Sequence, residues 1–258
     1  MIFDALPALG FQLDFSGTVT GNLTDTNLTD NIGATMRFEG VDPDNDIDLL
    51  IAVVNAYNPN NPQRNGTVLV NDGRINMPRN SSTTFNFSFV ETGTNTPFSV
   101  FEADMGFYDI DGGNVDGSQE RLTLLTSAEY TVTDASSLTI DTSNPQAVSF
   151  TSPAVAVTNP ANSNNLTTAQ ENHAASFQFN NISEFEINYE VVGGVNTDNR
   201  NFFFAGDVVF TDPTDTVTFE PVPFEFSPSL GLLLSGCSLW VIYYLRRLKI
   251  RMSDKEIS

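Results

Sequence analysis

Apolar and polar residues alternate along short stretches of this chain again and again, and that period of two limits its fold more than any other feature. Phe11-Leu13-Phe15 is one such row, and Phe85-Phe87-Phe89, with Asn86 and Ser88 between, is a cleaner one. In extended backbone successive side chains point to opposite faces, so each row predicts one buried face of a strand. Phe177-Phe179 and Phe185-Ile187-Tyr189 form two more rows, with Asn180-Asn181-Ile182-Ser183 read as a tight connection. Further strands are expected over 33–41, 47–56, 66–71, 98–110, 120–126, 128–133, 137–141, 147–151 and 202–210, with Gly, Asn, Asp or Pro between them. Phe occurs 21 times, and no run of Ala, Leu, Glu and Lys suggests a long helix. The expected fold is all-β: an antiparallel two-sheet sandwich, jelly-roll-like, over residues 1–212.

Charge divides the chain unevenly. Residues 1–227 hold six Arg and no Lys against 30 Asp and Glu, for −24, whereas residues 228–258 hold five basic and two acidic groups, for +3. A body this acidic does not neutralise phosphates, which excludes nucleic acid as a partner. Cys237 is the one cysteine, so neither a disulfide framework nor a Cys-based metal site is available.

From residue 213 the character changes. Residues 213–228 carry four prolines, which remove backbone donors and favour an extended spacer. Ser229 to Leu245 follows without a charge, and a helix of that length rises ~25 Å, the short end for crossing a bilayer. Trp240, Tyr243 and Tyr244 sit near its basic end, and Arg246, Arg247, Lys249 and Arg251 come next in the tail 246–258. The pattern predicts a single C-terminal transmembrane helix over 229–245, with the basic tail in the cytoplasm and the acidic body outside. Residues 1–14 lack the basic start and apolar run of an export signal, so the true start is expected to lie upstream.

The order of parts in Pro221 to Arg251 resembles the PEP-CTERM class of bacterial sorting signals, in its Pro-Phe-Glu variant, with Pro223, Phe224 and Glu225 at the motif, an apolar helix and a short Arg-rich end. The resemblance implies recognition by an exosortase-type membrane peptidase, cleavage near the motif, and delivery to the bacterial cell surface or extracellular matrix. Thr84 to Val100, the M-G-F-Y-D-I-D run after it and the 182–210 region also resemble the β-sandwich ectodomains that such signals terminate. That likeness implies an address and no chemistry.

Two acidic stretches invite a metal. In Asp109 to Glu120, oxygen ligands at alternate positions on a Gly-rich turn match part of an EF-hand pattern, Asp109, Asp111 and Glu120 standing at its first, third and twelfth positions. Gly113 and Asn114 depart from that pattern and the flanks read as strands, so two readings stay open: a β-loop Ca²⁺ site with Asp109, Asp111, Asn114, Asp116 and Glu120 as ligands, or a solvated acidic turn. Asp42, Asp44, Asp46 and Asp48, at alternate positions of an extended segment, would line one face and attract the same ion, or lie in a hydrated loop. His173, the one histidine, falls in the polar stretch 159–172 and its flank, where a solvated side chain is expected rather than a triad base.

The reading these features support is a non-enzymatic cell-surface or matrix protein, Ca²⁺-stabilised and adhesive or polysaccharide-binding, anchored or sorted through its C-terminal signal. A secreted carbohydrate-active hydrolase using Asp/Glu pairs is the alternative.

Overall fold

A computed structural model describes residues 13–25, 32–42, 44–69, 71–113, 117–194, 199–206 and 208–222. The chain divides into one unit from Met1 to Pro221 and a second from Val222 to Ser258. Pro223, Phe224, Glu225, the apolar stretch 229–245 and Arg246, Arg247, Lys249 and Arg251 all lie outside the described residues. Among the described residues no helix is long and apolar enough to cross a membrane.

The first unit is a sandwich of two antiparallel sheets. Its strands are β1 (Val19–Thr20), β2 (Thr35–Asp42), β3 (Ile47–Val53), β4 (Gly66–Val68), β5 (Asp72–Met77), β6 (Ser81–Glu91), β7 (Val100–Tyr108), β8 (Gln119–Leu124), β9 (Ala128–Thr131), β10 (Thr139–Asp141), β11 (Val148–Thr151), β12 (Ala175–Ile182), β13 (Glu184–Val192), β14 (Arg200–Ala205) and β15 (Val217–Phe219). The larger sheet runs β1-β2-β3-β6-β13-β8-β11-β10, the smaller β15-β9-β12-β7-β14-β5-β4. The chain crosses between sheets at most connections.

Alternation builds the core as expected. Phe85, Phe87 and Phe89 are fully buried, as are Phe177 and Phe179, and the inward rings of the two sheets interlock. Phe87 meets Phe204 edge-on at 5.6 Å and stacks on Phe185 at 4.9 Å. Each buried Phe contributes ~1.5–3 kcal/mol of apolar transfer, and the offset and edge-on pairs add to it.

Two elements depart from the sequence expectation and one meets it. Leu13 and Phe15 are buried, yet residues 13–16 form no strand: the Asp14 N–H bonds Val41 O in the larger sheet and the Phe15 N–H bonds the Asn71 carbonyl beside the smaller. The 180–183 connection is tight, as expected, and carries the chain from β12 in one sheet to β13 in the other, with Asn181 in the left-handed region and the Phe179 and Phe185 rings stacked at 4.1 Å. The stretch read as spacer also contributes to the sandwich, since Val217–Phe219 pairs with β9 and the unit continues to Pro221 rather than ending at 212.

β5 escaped the alternation because Asp-Gly-Arg-Ile-Asn-Met mixes polar and apolar residues. Gly73 is required there: a Cβ would lie 2.1 Å from the Phe204 ring packed over it.

The polar 152–173 segment covers the outer face of the smaller sheet. It carries the one-turn helix α1 (Thr168–Glu171), capped by reciprocal Thr167 and Gln170 contacts. Beneath it Tyr108, Ala174, Phe203, Ala205 and Val208 form a second apolar cluster with Leu166 packed on it.

Candidate functional site

The Asp109–Glu120 connection leaves β7 through Asp109, whose φ of 62° turns the chain sharply, and is tied down by the Ile110 N–H to His173 O and the Gly112 N–H to Val155 O. It returns through the Gly113 N–H to Ser118 O and enters β8 at Gln119. Asp111 and Glu120 are buried, 4% and 1% exposed, and they do converge on a cation. That cation is the guanidinium of Arg200, the first residue of β14. Arg200 Nη2 pairs with an oxygen of Asp111, and Arg200 Nε lies 2.5 Å from Glu120 Oε1.

Neighbouring residues add further bonds to the pair. The Val157 N–H donates to Asp111 Oδ2 at 2.7 Å, the Tyr189 hydroxyl donates to Glu120 Oε2, and the Ser152 hydroxyl receives the Glu120 N–H and donates to the Asp111 carbonyl. Glu120 faces inward from the larger sheet and Arg200 from the smaller, so the cluster fastens the two sheets together at one end of the core. Asn114 and Asp116 lie outside the described residues. Of the five candidate ligands, Asp111 and Glu120 thus meet the Arg200 guanidinium, and neither is the solvated side chain of an open acidic turn.

Burial governs the charges. It pushes the Asp109 carboxyl up to about 7, with the Arg200 charge opposing, and it pushes Glu120 well above the ordinary carboxylate range against the Tyr189 hydroxyl. Tyr189 is itself raised, by burial and by the Glu120 charge beside it.

The Asp42–Asp48 stretch does not present four carboxylates on one face. It is the β2–β3 hairpin turn, and Asp46, at φ 53°, breaks the alternation. Asp42 turns inward to accept from the Asp44 N–H and Asn45 Nδ2, while Asp44 and Asp46 are exposed. Asp48 is buried at 0% and accepts from Arg37 Nη1 at 2.9 Å, the Gly40 N–H at 2.8 Å, the Thr92 hydroxyl at 3.0 Å and the Gly93 N–H at 3.0 Å. Burial alone would raise its carboxyl; the four donors outweigh burial and hold it below the ordinary range. Among the described residues no three His, Cys, Asp and Glu side chains gather as a metal group.

His173 is buried, 6% exposed, contrary to the solvated side chain expected, because the 152–173 segment packs down on the smaller sheet. Its Nδ1 contacts Ala169 O at 2.9 Å and its Nε2 has no partner. Sequence reasoning also missed Asp72, 1% exposed, which accepts from the Tyr108 hydroxyl at 2.8 Å and the Ser163 hydroxyl at 2.6 Å. Asp72 and Ser163 line a cleft of about 210 Å³ together with Leu69, Asn71, Asn162 and Asn164. The hint lay in Asp72 opening a strand beside Gly73, but its partner is 91 residues away.

Arginine is spent inside this molecule: Arg37 on Asp48, Arg121 on Glu190, Arg200 on Asp111 and Glu120, and Arg79 on the Ser118 hydroxyl. The excess acids, such as Asp44, Asp134, Asp141 and Glu184, are left on the surface.

No family model matches the chain, and no curated protein does. Among solved structures, the N-terminal domain of the Streptococcus gordonii adhesin Sgo0707 is similar, with a TM-score of 0.43 and 13% identity over 78% of this chain and 51% of that one. The chain spans about half the length of that domain.

Proposed function

We propose that this chain is a non-enzymatic surface protein of the bacterial envelope, an acidic β-sandwich held outside the cell and anchored or sorted through its C-terminal segment. The observation that carries the reading is the abrupt change of chemistry past the sandwich. A body of charge −24 gives way to Pro223-Phe224-Glu225, an uncharged stretch 229–245, and then Arg246, Arg247, Lys249 and Arg251. The uncharged stretch partitions into hydrocarbon, the arginines stay on the cytoplasmic side, and the surplus carboxylates keep the exposed body soluble and hydrated.

The test is topology. With the full chain expressed behind a secretion signal, protease added to intact cells should destroy the sandwich while sparing a tag placed after residue 258. Co-expression of an exosortase-type peptidase should shorten the product, and alanine at Pro223, Phe224 and Glu225 should block that shortening. Protection of the sandwich in intact cells, or unchanged membrane retention after residues 229–245 are replaced by a Gly/Ser sequence, would overturn the reading.

A further inference from the structure

The outer face of the larger sheet carries a cleft of about 380 Å³ over β8, β11 and the edge strand β10, lined by Arg121, Thr139, Asp141, Ser149 and Thr151. That volume is within the ~300–1,000 Å³ typical of small-ligand sites. Register explains its composition. Thr139, Thr151 and Arg121 stand side by side across three strands, and Asp141, Ser149 and Thr123 form the next row. All are on the face turned away from the core, so the floor is hydroxyl, guanidinium and carboxylate with no apolar wall.

Arg121 is held in place by its neighbours. Its Nε donates to the Thr151 hydroxyl at 3.2 Å and its Nη1 to Glu190 at 2.9 Å, which fixes the planar fork and leaves Nη2 without a hydrogen bond among the described residues on a side chain 41% exposed. Asp141 is fully exposed, and the Ser143 N–H fixes one of its oxygens at 2.9 Å. A fixed donor and a fixed acceptor therefore face one cleft, with three hydroxyls between that can donate or accept.

Charge selects the ligand. Arg121 is balanced by Glu190, Asp141 leaves the cleft at −1, and the body around it carries −24, so an anionic ligand is repelled. One lining carboxylate is too few for a hard divalent cation, which takes six to eight oxygens. A lipid or aromatic ligand finds nothing apolar to bury against. Neutral molecules rich in hydroxyls fit all three limits, since a vicinal diol accepts from a guanidinium through one oxygen and donates to a carboxylate through the other. We propose that this cleft binds a neutral glycan strand, with Arg121 and Asp141 as its two fixed polar contacts. The site belongs to the sandwich itself and does not depend on where the chain resides in the cell.

The test is affinity electrophoresis of the purified full chain in detergent micelles, through gels containing dextran, mannan, galactan, amylose or cello-oligosaccharides, with alginate as the anionic control. At least one neutral glycan should retard the protein, alginate should not, and added salt should change little. Arg121→Gln and Asp141→Asn should each weaken retardation about tenfold or more, because each strips a charged hydrogen bond from the ligand, with the unfolding midpoint nearly unmoved. Retardation by none of the neutral glycans, or retardation that survives both substitutions, overturns the assignment. Because this readout uses purified protein, its failure is distinct from failure of the topology experiment in cells.

Discussion

The β2–β3 turn and the β7–β8 connection are written in nearly the same residues, and the fold treats their carboxylates in opposite ways. Asp48 is buried among donors: two backbone N–H groups, a hydroxyl and a guanidinium converge on it, and its charged form is favoured. Glu120 and Asp109 are buried with fewer compensations and are pushed toward the neutral form. What separates them is the count of hydrogen bonds aimed at the carboxylate, not the acidity of the surrounding sequence. Asp48 also sits on a strand, but the irregularity in β2 at Gly40 and the turn after β6 at Gly93 aim main-chain N–H groups at it, whereas the strand N–H groups around Glu120 are already spent on its neighbours and on Ser152.

The widest test of that contrast removes the two arginines in turn. Arg200→Met removes the buried cation that Asp111 and Glu120 share, leaving each carboxyl one neutral donor, and should destabilise the body by about 3–5 kcal/mol in urea unfolding. Arg37→Met leaves Asp48 with three other donors and should lie nearer 1–3 kcal/mol. Equal losses from the two would show that donor count does not govern these sites.

A smaller effect should appear in the pH dependence. A carboxyl whose folded pKa exceeds its unfolded value costs nothing below about 4, and costs progressively more as pH rises to its folded value. With Asp109 at about 7, stability should fall between pH ~4 and ~7, and Asp109→Asn should flatten that decline. Asp48 works in the other direction, its contribution present above ~4 and lost as pH falls through its lowered value. Midpoints of thermal unfolding across this range check both signs, and a stability that rises from pH 4 to 7 in the Asp109-containing protein would contradict the first.

The smallest expected effect is that of calcium. With Arg200 balancing Asp111 and Glu120, millimolar Ca²⁺ at fixed ionic strength should leave the unfolding midpoint where EDTA leaves it. An ion bound at ~100 times its dissociation constant would add ~2.7 kcal/mol, a rise of several degrees. Such a rise, lost in Asp111→Ala, would place a metal in the 109–120 loop after all.

Much of the sandwich was legible beforehand. The rows at Phe85-Phe87-Phe89 and Phe185-Ile187-Tyr189 announced strands because a buried face and an exposed face alternate within a few residues, and nothing distant is needed to read them. Asp72–Met77 was not legible, since its face is set by Phe204 lying across Gly73, and neither was Val217–Phe219, whose partner β9 stands far upstream. The acidic stretches stood out by their clustered like charge, but local sequence could not show that Arg200 reaches Asp111 and Glu120 or that Arg37 reaches Asp48.

The sequence by itself determined the all-β class, the inward faces of most strands, the charge division between body and tail, and the uncharged stretch before the terminal arginines, because each is a property of neighbouring residues. Only the tertiary structure decided that Arg200 meets Asp111 and Glu120 across 89 and 80 residues, that Asp48 is capped from Thr92 and Gly93, and that Arg121, Thr151 and Asp141 share one cleft. Such pairings are fixed by sheet order and register, and these arise from packing the whole core at once and leave no trace in any local run of residues.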